Sequence, residues 1–193
     1  MGGFLLILAV AVVVYLMTTY NKFQTTKTRI QASVQEIGNQ LKRQADLIPN
    51  LVASVKGYMK HEQTALDKIT EARKSALAAL KNQDLQKMVD ASADMQSALG
   101  GIQLVFESTP ELKAEKPTVK LMDEVRDTAD KLMYSRRTLI DLTADYNVMV
   151  VTLPSSLVAN LFKFTQQPGL KTPETGAHLE VSAKETTSPK VEL

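Results

Sequence analysis

The chain has 193 residues, 44% apolar and 23% charged, with a formal net charge of +2. The absence of cysteine excludes disulfides, thiol catalysis, acylation at cysteine and Cys-ligated zinc or iron–sulfur centres. With ten Phe and Tyr and no Trp, the chain lacks a base-stacking platform, and its near-neutral charge gives no pull on a polyanion, so no nucleic-acid partner is expected.

Residues 2–21 carry no charge, and 4–17 (FLLILAVAVVVYLM) are unbroken apolar sequence. A helix needs about 20 residues to span a hydrocarbon core of about 30 Å. The segment just suffices, with Tyr20 placed as an interfacial aromatic. A cleaved signal peptide would carry a basic residue before its apolar core and a small-x-small site after it. Here the first basic residue is Lys22, and Ala9-Val10-Ala11 comes too early. A buried core helix would show a polar face, and this one has none. The expectation is a transmembrane anchor over residues 1–21, with the lipid bilayer as its partner through 2–21. Lys22, Lys27 and Arg29 follow the span and no basic side chain precedes it. The positive-inside rule then puts the N-terminus outside and the body in the cytoplasm.

Residues 22–165 read as long helices. Ile30, Val34, Ile37, Leu41, Ala45, Ile48, Val52, Val55 and Met59 recur at steps of three and four, in a phase that runs through Pro49. Leu66, Ile69, Ala72, Ala76 and Leu80 form a second stripe, and Asp84 is a good N-cap for a third helix with Met88, Ala91, Met95 and Leu99. Gly100-Gly101 in that helix implies close packing, a kink or an end. Ser108-Thr109-Pro110-Glu111 and Lys116-Pro117 are helix-start signals. A last long helix carries Leu121, Val125, Thr128, Leu132, Ser135, Leu139, Thr143, Tyr146 and Val150, stops at Leu153-Pro154, and leaves room for a short helix over 155–164. The methionines at 59, 88, 95, 122, 133 and 149 read as core. Residues 166–193 are polar, contain three prolines and read as a disordered tail. The fold expectation is all-α: one N-terminal transmembrane helix, then an antiparallel bundle of three to four long helices.

The segment LKRQADLIPNLV, residues 41–52, resembles the signature of the LemA family of bacterial membrane proteins, roughly L-K-R-R-x-D-L-I-P-N-L-V. Tyr20-Asn21, Val55-Lys56-Gly57-Tyr58, the P-x-L-K-A stretch at Pro110 to Ala114, Arg136-Arg137, Asp145-Tyr146-Asn147 and Pro154-Ser155 follow in the family's order. Gln44 stands where the signature has its second arginine, Thr138-Leu139-Ile140 where an aromatic-Tyr-Asn is usual, and Leu153 where an aromatic precedes the proline. The resemblance implies one N-terminal transmembrane helix, a body of long helices on the cytoplasmic side of a bacterial inner membrane, and no established enzymatic activity.

The sharpest candidate site is the proline-centred segment. Proline inside a helix removes an N–H and frees the carbonyl of Ala45. Asn39, Arg43, Asp46 and Asn50 share one face beside it. The residues singled out as a structural or partner-binding motif are therefore Arg43, Asp46, Pro49, Asn50, Tyr146 and Asn147. Two readings stand: the polar row satisfies the freed carbonyl and pairs with Tyr146 and Asn147, or it docks a protein. No catalytic, cofactor or metal residues are expected. His61-Glu62 lacks a second histidine at the fourth position on, which is Ala65, and the other histidine is His178. Asp123, Glu124, Asp127 and Asp130 alternate with Lys120, Arg126 and Lys131, as on a solvated helix face. No phosphate-binding glycine loop or nucleophile elbow is present. The function expected is a non-enzymatic scaffold or adaptor at the membrane, binding a protein partner of unknown identity or a second copy of itself. The alternative is a lipid-contacting, membrane-remodelling module that uses the basic first hairpin, where residues 22–80 hold ten bases and five acids.

Overall fold

The structure, a computed structural model, describes residues 1–59 and 63–171. Six helices and no strand occur among the described residues: α1 (Gly2–Val55), α2 (Gln63–Asn82), α3 (Leu85–Ser108), α4 (Pro110–Ala114), α5 (Lys116–Val151) and α6 (Ser155–Leu161). Four are long, as the apolar spacing requires. α1 is a single helix of 54 residues, so the apolar N-terminal segment and the first bundle helix are one rod.

α1 and α5 pair along most of their lengths, and the α2–α3 hairpin packs across the distal half of α1. The buried face of α1 runs Thr19, Phe23, Thr26, Ile30, Ser33, Ile37, Leu41, Gln44, Ile48, Leu51, Val55 at steps of three and four. Small polar residues recur there at Thr19, Thr26 and Ser33, seven residues apart, which lets α5 approach closely between the large side chains. The hairpin reaches down α1 as far as Gly38, where Leu80 is the near neighbour. Below that level α1 and α5 form a two-helix neck. Met122 and Met149 are core as expected, but Met133 is 60% exposed. It faces a gap between α3 and α5, because those two helices barely touch.

Local chemistry sets the helix ends. Asp84 caps α3, its carboxylate accepting from the Lys87 N–H at 3.1 Å, and this bond holds its carboxyl below the usual carboxylate range. The Tyr58 hydroxyl donates to Glu115 at 3.3 Å and ties the α1–α2 connection to the start of α5. The neighbouring Glu115 charge pushes the Tyr58 hydroxyl pKa up. Residues 166–171 correct part of the expected tail. They form no helix, yet they run along the neck: Gln167 pairs with Asn147, Leu170 packs on the core, and the Lys171 N–H donates to Gln86 at 3.0 Å. Polar composition hid this, because the anchoring bonds come from α5 and α3. Residues 172–193 lie outside the described residues.

α3 runs through Gly100-Gly101 without a break. A Cβ on Gly101 would meet the Ala65 Cβ at 3.3 Å, whereas one on Gly100 meets nothing within 4 Å. The pair therefore splits into one position of close α2–α3 approach and one of mere helix weakness. Gly100→Ala should raise stability by up to about 1 kcal/mol through helix propensity. Gly101→Leu should lower it by wedging α2 from α3. Denaturant melts of the two variants measure the difference.

Candidate functional site

α1 passes through Pro49 without stopping. Proline has no N–H to offer the Ala45 carbonyl, so that acceptor needs another donor. Arg73 of α2 supplies it, its Nε donating to the Ala45 oxygen at 2.8 Å. This corrects the reading in which the polar row on α1 did so. Arg43 instead crosses to Glu124 of α5 at 3.8 Å, and Asp46 is held by Lys42 one turn back on α1. The Asn50 carbonyl accepts the Ser54 hydroxyl at 3.0 Å, and Asn39 is exposed. Ion pairs this open to water contribute little.

Tyr146 and Asn147 belong to the other end of the molecule. Tyr146 is buried edge-on against Phe23, their ring centres 5.5 Å apart, and burial pushes its pKa up. The Asn147 side chain donates to the Gln167 carbonyl at 2.9 Å and accepts from the Gln167 N–H at 2.8 Å. Phe23 and Asp46 lie about 35 Å apart on one rod at 1.5 Å per residue. The structure thus splits the expected motif into a row beside Pro49 and a neck cluster that do not meet.

Between α3 and α5 a groove of about 530 Å³ opens onto α1. Ser92, Ala93, Ser97 and Ala129 make its walls small, Met133 and Arg136 border it, and Gln44 of α1 lies in its lining. Gln44 is 1% exposed, and neither carboxamide atom has a partner. A buried amide left in this state costs about 1–3 kcal/mol. The groove continues past Gln96, Ala129 and Asp130 toward Gln103 and Met122. A carboxamide presents one donor edge and one acceptor edge, the complement of a peptide group, and small walls allow a backbone to come close.

The acidic residues of α5 do not converge. Glu124 pairs with Arg43, Asp123 with Arg126 and Asp127 with Lys131, and Asp130 borders the groove. Among the described residues no three or more His, Asp or Glu are grouped to hold a metal ion. His61 and His178 lie outside the described residues, as does the His61-Glu62 reading.

Arg73, Gln44 and Gln167 were missed from the sequence. Arg73 carried a signal: it and Ala45 are equally far from Met59 at the hairpin connection, and such residues pair in an antiparallel hairpin. Gln44 also carried one, because it falls in the apolar phase between Leu41 and Ile48. Gln167 carried none.

The fold and the groove define a helical bundle on a rod whose first turns are long and apolar enough to cross a membrane. The LemA family model matches residues 33–184, and the chain belongs to the LemA family. It is similar to Protein LemA of Metamycoplasma hominis, 27% identical over 146 residues, a match that takes in 75% of this chain and 62% of that protein. The chain therefore spans less than two thirds of that relative's length.

Arg73→Ala should destabilise the protein by about 1–3 kcal/mol by orphaning the Ala45 carbonyl. Pro49→Ala restores the missing N–H. In that background the cost of Arg73→Ala should fall by more than half, which a double-mutant cycle of denaturant melts reads directly.

Proposed function

We propose that the protein is a membrane-anchored helical scaffold or adaptor. It crosses a bacterial inner membrane once through residues 2–21, with its N-terminus outside, and holds a partner polypeptide in the α3–α5 groove on the cytoplasmic side. No catalytic step belongs to this reading. One observation carries it: the Gln44 carboxamide, buried without a partner, lines an open groove with small walls. Folded proteins rarely leave such a group unpaired. An extended segment laid along the groove would cover the Met133 side chain, and a turn of the Gln44 side chain toward the groove would let its amide take up the segment's N–H and C=O. Orientation is supported by Lys22, Lys27 and Arg29 just past the apolar turns.

The reading sets stability against binding. Gln44→Leu removes the unpaired amide and should stabilise the isolated protein by about 1–3 kcal/mol. It should also weaken capture of the partner. With a photo-crosslinking residue in place of Met133 in the full-length protein in cells, a discrete adduct is expected. That adduct should weaken with Gln44→Leu and vanish when Ser97→Trp fills the groove. Its mass separates a second copy from another protein. An equal adduct from exposed Leu104, or one indifferent to Ser97→Trp, would count against the groove.

A further inference from the structure

α1 is exposed on all sides from Gly2 to Tyr15, and the rest of the protein first covers it at Leu16, Thr19 and Tyr20. If α1 spans the bilayer, its bare turns stand in the hydrocarbon core. The end of the bundle that first covers α1, at Leu16 to Tyr20, then stands at the membrane interface.

That end is built for such a place. From Tyr146 to Phe162 the chain carries no charge, and it lies beside the end of the uncharged run of 2–21. α6 lies against α1 and α5 with Val158 and Ala159 buried. Its other face turns Leu157 and Leu161 outward, each 64% exposed, beside Leu153 at 75% and Phe162 at 45%. Val148 and Val151 extend the patch up α5. Phe162 packs edge-on against Tyr20, ring centres 4.9 Å apart, and Phe164 stacks on Phe23 at 4.6 Å, so α6 is clamped to the rod at one height. The first charges above this ring are Lys22, Lys163 and Asp145. Two of the three are lysines, placed where they can reach lipid headgroups.

We propose that α6 and the end of α5 form a second membrane contact, an interfacial collar whose Leu153, Leu157, Leu161 and Phe162 insert at the headgroup–acyl boundary of the bilayer that α1 crosses. The occupant of this face is lipid, because the face is continuous with the bare apolar turns of α1 and is held at the height of Tyr20, where those turns end. The collar fixes how far the rod sinks and holds the bundle upright on the membrane. This rests on α1 spanning the bilayer.

The chain has no tryptophan, so single tryptophans report cleanly. Full-length Leu157→Trp, Leu161→Trp, Leu8→Trp and Tyr134→Trp would be reconstituted in vesicles of phosphatidylcholine and phosphatidylglycerol carrying brominated acyl chains. Loss of emission is expected for Leu8→Trp with bromines deep in the chain, and for Leu157→Trp and Leu161→Trp with bromines near the headgroup. Tyr134→Trp, on the exposed neck, should keep its emission. If Leu8→Trp is quenched while both α6 tryptophans stay bright, the collar is refuted and the span stands. Blue-shifted but unquenched α6 tryptophans would place a second protein copy on the face instead and also refute it. If Leu8→Trp is not quenched either, the spanning reading falls and the collar with it.

Discussion

The rod α1 runs as one helix for 54 residues, and the other elements take their positions from it. A helix that long is held by packing and by relief of its weak point, not by intrinsic propensity. The weak point is Pro49. Its missing N–H is made good at the Ala45 carbonyl by Arg73, which also fixes the height of α2 on α1. One hydrogen bond therefore serves both the acceptor that Pro49 leaves open in the rod and the register of the first hairpin.

The rod divides into three zones. The first turns are bare and apolar, the neck is a close pair with α5 bordered by residues 164–171, and the distal half carries the α2–α3 hairpin. Small hydroxyl residues line the neck seam where two helices must exclude water without a third. In the distal half the bulk increases, and α3 stands away from α5 over Gln44. Membrane attachment and partner binding, as proposed, thus fall at opposite ends of one stiff element. The polar row of Arg43 and Asp46 lies on the distal part beside the hairpin, while Tyr146 and Asn147 lock the neck to the chain that returns from α6.

The long helices, three to four of them, were legible because a period near 3.6 is written in each stripe, and the helix starts at Asp84 and Pro110 because caps and proline are local chemistry. The LemA signature was legible as a string of residues, but its physical role was not. Satisfying Ala45 needs a side chain from another helix, and local spacing cannot show that. The same limit hid the groove. A gap between α3 and α5 results from how two hairpins lean on a rod, and only Gln44 in the apolar phase hinted at it. Residues 166–171 were misread because their anchors, Asn147 and Gln86, are side chains that take up backbone groups from a distant part of the chain.

The continuity of α1 from the apolar turns into the bundle is the central claim, and a distance across the junction tests it most directly. Because the chain has no cysteine, spin labels can be placed at Val14→Cys and Gln35→Cys without background, both positions being exposed. Pulsed dipolar spectroscopy on the full-length protein in vesicles should give a single narrow distribution centred at about 31 Å, the length of an unbroken helix between those positions. A broad distribution or a clearly shorter mean would show a hinge near Thr18 to Lys22, and the rod would not be one element.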